Sequence, residues 1–109
     1  MQRAARKDAN HAEIQKFFES KGYSVLDLSQ LKNACDIVVS YMGITVMIEI
    51  KDGSKIPSKR KLTEGEIAFR NKWRTNGHWQ LIESLEQAQE LHKTVVCLLS
   101  NKFDWRLPL

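Results

Sequence analysis

The sequence predicts an α/β fold in which a mixed central β-sheet is flanked by helices. Segments with apolar residues near helical spacing alternate along the chain with short runs rich in β-branched residues. The resulting order, α-β-β-β-α-β-α-β, is typical of a sheet with covering helices. The 109 residues predict one domain spanning 1–109, because two smaller pieces would bury too little apolar surface.

The first two elements are predicted from apolar spacing and a glycine stop. A helix is expected over residues 8–21, where Asp8 or Asn10 could cap the start and Gly22 ends it. A strand over 23–29 follows, although Asp27 interrupts its apolar pattern.

Two stronger strands are predicted over 36–42 and 44–51, rich in β-branched and aromatic residues. Only Gly43 separates them clearly, so we expect a tight antiparallel hairpin. In the second strand Glu49 and Lys51 share one face, while Ile48 and Ile50 lie on the other.

The remaining elements follow a loop over 52–61. Thr63 should cap a second helix ending near 76–77, and Glu66 three residues later completes a capping box. A strand over 78–82, a third helix from Ser84 through Leu91, and a last apolar strand over 94–99 complete the prediction.

Composition and charge narrow the function classes. A net charge of +4 and a pI near 9.2 suit a polyanionic partner without requiring one. No apolar stretch is long enough for a membrane span, and none follows the basic start, so we expect a cytoplasmic protein without a signal peptide. Cys35 and Cys97 lie in apolar, strand-like segments and are expected to be buried thiols.

The segment from Asp36 to Lys51 carries the candidate chemistry. A tight hairpin can bring Asp36 towards Glu49, and the carbonyl of Ile50 could share a divalent cation with these carboxylates. Such an ion can activate a water molecule, and Lys51 could orient that water or neutralise a transition state. The ordinary alternative is a surface ion pair worth less than about 1 kcal/mol. An apolar strand ending in charges favours the site, because buried charges need partners or metal.

The run ACDIVVSYMGITVMIEIKDG resembles the core of the PD-(D/E)XK nuclease superfamily. Asp36 matches the first acid, Glu49 the second and Lys51 the lysine, while Cys35 stands where the motif has proline. Downstream, LTEGEIAFRNKW is similar to the LTxxQxxFxxxW segment of small stand-alone VRR-NUC domains, with Glu66 where glutamine is usual. The resemblance covers roughly residues 9–75.

This resemblance implies a restriction-endonuclease-like αβββαβ core and a Mg²⁺- or Mn²⁺-dependent endonuclease that hydrolyses DNA phosphodiesters. It further implies structure selectivity for branched DNA or junctions, a homodimer, a phage or bacterial source, and no small-molecule cofactor. The implied catalytic residues are Asp36, Glu49, Lys51 and Glu66. The implied metal ligands are Glu13, Asp36, Glu49 and the Ile50 carbonyl, with Glu13 matching an acid on the first helix.

Two of these roles have ordinary alternatives. Glu13 could complete the metal site or be a solvated helix charge, and Gln15 is a weaker candidate beside it. Glu66 could act on substrate or metal, yet the capping box alone requires this residue type at this spacing.

The loop after the strand that carries Glu49 and Lys51 is basic. It places four positive charges in seven residues, namely Lys55, Lys59, Arg60 and Lys61. We expect contacts to the DNA backbone, since no base-reading motif is visible; the alternative is a solvated loop. Arg3, Arg6 and Lys7 could extend the footprint.

The scattered histidines have no metal-ligand spacing, and His11 is a poor candidate for a general base. Trp73 and Trp79 are expected in the core, and the tail with Trp105 could fray or dock a partner subunit. Two other functions are open: a non-catalytic DNA-binding module on the same fold, and a subunit activated by a partner.

Overall fold

The computed structural model describes residues 8–102 and consists of a four-stranded mixed sheet with helices. In chain order the elements are α1 (His11–Ser20), β1 (Ser24–Asp27), β2 (Ile37–Tyr41), β3 (Ile44–Ile50), a 3-10 turn (Pro57–Lys59), α2 (Glu64–Arg74), β4 (His78–Ile82) and α3 (Leu85–Lys102). The strand order is β1-β2-β3-β4. The first two pairings are antiparallel and β3 pairs with β4 in parallel, so α2 is the crossover connection. The predicted fold class is confirmed.

The hairpin between β2 and β3 closes through a two-residue turn. Tyr41 pairs with Ile44, and the intervening Met42 and Gly43 have φ angles of 49° and 89°. Two consecutive positive φ angles are the signature of a type I′ turn, whose twist matches that of the flanking strands. The turn fixes the register of the strands that carry the candidate acids.

The hydrophobic core lies on one face of the sheet, under α1 and α3. Alternate residues of β3 point into it, and Ile44, Val46, Ile48 and Ile50 are all buried, which is the two-residue repeat of a strand with one face in the core. The helices contribute further buried side chains, namely Ile14, Phe18, Ala88, Val95 and Leu99. The opposite face is covered less completely, because no side chain of α2 is buried.

The last predicted strand is wrong. Residues 94–99 belong to α3, which continues without a break to Lys102. Val95 and Leu99 are buried at a spacing of four while Val96 and Leu98 are exposed, which is the pattern of one helix face. Cys97 is exposed as a result, whereas Cys35 is buried as expected.

Of the two tryptophans expected in the core, only Trp79 on β4 is buried; Trp73 on α2 is 38% exposed. Arg3, Arg6, Lys7 and Trp105 lie outside the described residues. Within residues 8–102, no helix is both long and apolar enough to span a lipid bilayer.

Candidate active site

The strand register places Asp36 opposite Glu49. Ile37 of β2 pairs with Ile48 of β3. Because the strands are antiparallel, the residue before Ile37, which is Asp36, lies opposite the residue after Ile48, which is Glu49. Asp36 is held there because its Oδ2 accepts a hydrogen bond from the backbone N–H of Ile50 at 2.7 Å. The hairpin therefore brings the two predicted acids together.

Glu49 is a buried carboxyl, with only 3% of its surface exposed. Burial raises the pKa of Glu49 far above its ordinary value, and the neighbouring Asp36 and Glu66 carboxylates raise it further. Asp36 is near enough to Glu49 for hydrogen bonding between the two carboxyl groups to contribute to this rise in pKa. Two carboxylates in contact need either a shared proton or a cation between them.

Lys51 forms a partly buried ion pair with Glu66. Its Nζ donates to the two carboxylate oxygens of Glu66 at 2.9 and 3.1 Å, and the two side chains are 14% and 19% exposed. Burial disfavours the charged form of each, but their mutual hydrogen bond and charge prevail, so the pKa of Lys51 is raised and that of Glu66 is lowered. Both side chains are charged at neutral pH.

The predicted capping box of α2 is confirmed and uses the same carboxylate. Glu66 Oε1 accepts from the backbone N–H of Thr63 at 2.8 Å, and the Thr63 hydroxyl accepts from the Glu66 N–H at 3.2 Å. One glutamate therefore serves both as the cap of α2 and as the counter-ion of Lys51. The helix start is locked to the lysine of β3.

These side chains surround an open cavity, which we call the acidic pocket. Its lining includes Cys35, Asp36, Glu49, Thr63, Gly65 and Glu66, and Lys51 reaches it through Glu66. The Cys35 thiol, where the resembled motif has proline, donates to the Ile37 carbonyl at 3.3 Å. Burial raises the pKa of this thiol to about 11, so it remains a protonated packing residue.

Two residues that sequence reasoning did not assign to the site also contribute to it. The Asn10 amide donates to the carbonyls of Lys51 and Glu83 at 3.0 and 3.1 Å, instead of capping α1 through its side chain. Asp8, two residues earlier, lies near enough to Lys51 and Asp36 to interact with their charges: burial raises the pKa of Asp8, Lys51 opposes that shift and Asp36 adds to it. The signal in the sequence is an acid just before the first helix, a position that also suits a helix cap.

The structure does not bring Glu13 to the acidic pocket. Glu13 is exposed on α1 and lines a different cavity together with Asp52, Arg60 and Glu83. Gln15 does not line the acidic pocket either. His11 does not line the acidic pocket either: it is a buried polar residue of α1, with its Nε2 3.5 Å from Asp27.

The basic loop is only partly available to a ligand. Lys55, Lys59 and Lys61 are exposed. Arg60 is instead occupied, since its Nη1 donates to Glu83 Oε2 at 2.6 Å and its Nε to the Lys55 carbonyl at 2.9 Å. Arg60 orders the loop in this arrangement.

The carboxylates of Asp36 and Glu49 suit Mg²⁺ better than they suit a metal ion whose ligands all come from the protein. Within residues 8–102, no group of three or more His, Cys, Asp or Glu side chains could hold a metal ion. Asp36 and Glu49 supply two carboxylates, and Mg²⁺ is commonly bound by one or two carboxylates, with waters and substrate phosphate completing the shell. The Ile50 contact to Asp36 is through its N–H, and no described contact involves its carbonyl with these acids.

Comparison with known proteins supports the fold. No family model matches the sequence, and no curated protein matches it significantly. A solved structure described as a "VRR_NUC domain" is similar at 20% sequence identity and a TM-score of 0.62, over 82% of this chain and 97% of that one. The chain therefore has the fold of a VRR_NUC domain, as its motifs predicted.

Proposed function

We propose that this chain is a metal-dependent nuclease that hydrolyses phosphodiester bonds of DNA. The observation that carries the proposal is the buried Glu49 carboxyl in contact with Asp36 at the wall of an open pocket. A buried carboxyl beside a second acid costs stability unless a proton or cation neutralises it, so its presence beside an open cavity favours ligand binding.

Each residue has a role that follows from its position. Asp36 and Glu49 would hold Mg²⁺ or Mn²⁺, and the bound ion supplies water activation and neutralises charge on the phosphoryl oxygens. The Lys51 ammonium, fixed by Glu66 at 2.9 Å, is placed to neutralise the phosphoryl group or orient the attacking water. Glu66 acts on Lys51 and is therefore a positioning residue.

The three exposed lysines of the basic loop, Lys55, Lys59 and Lys61, suit contacts to the DNA backbone. Arg60 would need to leave Glu83 to join them, so we assign it to loop structure. The preference for branched DNA and the homodimer are carried only by the family resemblance. Gel filtration with light scattering tests the homodimer, and a clean monomer would contradict it.

The test is cleavage of end-labelled four-way junction, flap, duplex and single-stranded DNA with Mg²⁺, Mn²⁺ or EDTA. We expect metal-dependent cutting that falls by about a hundredfold or more in Asp36→Asn, Glu49→Gln and Lys51→Ala. Glu86→Gln, an exposed acid of α3, is the matched control and should cut like the wild type. Glu13→Gln should also retain activity, because Glu13 lines another cavity.

Two outcomes would contradict the proposal. If the wild type binds these DNAs and cuts none with either metal, the chain is a binding module or a partner-activated subunit. If cutting survives in both Asp36→Asn and Glu49→Gln, the acidic pocket is not the active site.

A further inference from the structure

Helix α2 carries an aromatic surface that the rest of the fold covers only in part. None of its side chains is buried, and Trp73 and Ile67 are 38% and 37% exposed. The rings of Phe69 and Trp73 lie 5.9 Å apart at an interplanar angle of 37°, so they form one continuous apolar surface. An exposed pair of aromatic rings of this kind is suited to stacking with a flat apolar group such as a nucleobase.

This surface lines a groove that adjoins the acidic pocket. The groove, here called the aromatic groove, is lined by Asn33, Gly65, Ala68, Phe69, Lys72 and Trp73. Asn33 and Gly65 line the acidic pocket as well, so the two cavities share a wall. Gly65 and Asn33 are in close contact, because a Cβ atom on residue 65 would overlap the Asn33 side chain.

The geometry of α2 places the aromatic groove and the acidic pocket along the same face of the helix. Glu66, Phe69 and Trp73 are spaced by three and four residues, which places them on one stripe of α2. Seven residues of helix span about 10 Å, or about three nucleotides at the rise of a stacked strand. When a DNA strand has its reacting phosphate in the acidic pocket, a nucleotide within about three positions of that phosphate can therefore reach Trp73.

The charge of the groove favours nucleic acid over a second copy of this chain. Lys72 is the charged side chain among its lining residues, and no acid lines it within the described part of the chain. A two-fold interface centred here would bring lysines of both copies together, whereas a nucleic acid supplies phosphates for Lys72 and bases for the rings.

We propose that Phe69 and Trp73 form a stacking site for an unpaired nucleobase of the strand bound in the acidic pocket, with Lys72 contacting its phosphate. The proposal rests on the proposed nuclease function and specifies its substrates as DNA with unpaired nucleotides beside the cut. Fully paired duplex cannot use the site, because its bases are stacked on each other.

The test is binding measured in EDTA, where no cleavage occurs, by fluorescence anisotropy at low salt. The probes are labelled oligothymidine, a blunt duplex, and the same duplex with a three-nucleotide unpaired end. We expect Trp73→Ala to weaken binding of the two probes with unpaired bases by about fivefold to a hundredfold, as when a base–aromatic stack is removed. Duplex binding should change by less than about twofold.

Two further variants control the result. Leu98→Ala removes an apolar side chain of similar exposure (42%) on α3 and should leave all three affinities unchanged. Trp73→Phe should retain part of the affinity but lose the quenching of tryptophan fluorescence that oligothymidine causes in the wild type. Trp73 and Leu98 are 38% and 42% exposed, so the two alanine variants should lose similar packing, and thermal unfolding checks that each variant is folded at the binding temperature.

The proposal is overturned if Trp73→Ala weakens the paired and unpaired probes equally, if it weakens neither, or if the wild type binds no unpaired DNA. Cleavage is scored separately after Mg²⁺ is added. If the Trp73 effect is present but no DNA is cut, the nuclease function fails and the stacking site stands. If cutting is present without a Trp73 effect, only the stacking site fails.

Discussion

Glu66 joins a helix cap to the candidate active site, and two substitutions separate these roles. Thr63→Ala removes the hydroxyl that caps α2 while leaving the Lys51–Glu66 ion pair intact. Glu66→Gln does the reverse. In the wild type the Thr63 N–H donates to Glu66 Oε1 at 2.8 Å, and a glutamine Oε1 can accept the same hydrogen bond. The glutamine carries no charge to pair with Lys51.

The expected magnitudes follow from these contacts. Losing a threonine cap costs about 1 kcal/mol of unfolding free energy. Replacing a charge-assisted pair by a neutral hydrogen bond, with the ammonium only 14% exposed, should cost about 2 kcal/mol. If Glu66 positions Lys51 for the reaction, Glu66→Gln should also lower kcat at least about tenfold, which corresponds to about 1.4 kcal/mol of transition-state stabilisation. Thr63→Ala should keep kcat within about threefold of the wild type.

The assay combines urea denaturation with single-turnover cleavage, run well below the unfolding temperature so that each variant is folded. A wild-type cleavage rate in Glu66→Gln would refute the positioning role and leave Glu66 as a helix cap. Equal losses of rate in both variants would show that the helix start, and not the charge, controls the site.

Two further predictions concern stability. Burial raises the pKa of Tyr23 to about 12 from 10.0, so the unfolded chain releases this proton first: the stabilisation is complete below pH 10 and is lost as pH rises towards 12. The unfolding free energy should therefore fall more steeply between pH 9 and 11 in the wild type than in Tyr23→Phe, and equal slopes would contradict the shift. Met42 occupies a left-handed conformation with φ of 49° in the type I′ turn, so Met42→Asn should raise the unfolding free energy by about 1 kcal/mol in urea denaturation. No gain, or a loss, would mean that the exposed Met42 side chain stabilises the turn.

Sequence alone could predict the parts of this molecule that local rules control. The Thr63–Glu66 capping box and the hairpin around Gly43 depend on neighbouring residues, and both are present as expected. The contact of Asp36 with Glu49 follows from the hairpin register once the turn length is known. The proposed roles of these residues depend on the resemblance to known motifs, because spacing alone does not supply them.

The features that sequence missed depend on contacts between distant segments. A six-residue apolar run such as 94–99 suits a buried strand or one side of a helix, and only packing of Val95 and Leu99 against the core decides between them. Asp8, and not Glu13, approaches the site because Asn10 bonds to carbonyls 41 and 73 residues away. Arg60 could not be separated from the other basic residues because its partner, Glu83, lies beyond the whole of α2 and β4.

Glu83 fixes both ends of the basic loop, and this has a consequence for how substrate range can change. Its carbonyl accepts from the Gly53 N–H at 3.0 Å, and its carboxylate binds Arg60. The residues between these two anchors contribute neither to the core nor to the acid pair. Doubling the length of a closed loop costs only about 0.6 kcal/mol. Evolution or design can therefore exchange this segment for one of another length or charge, while the residues of the acidic pocket stay where the sheet holds them.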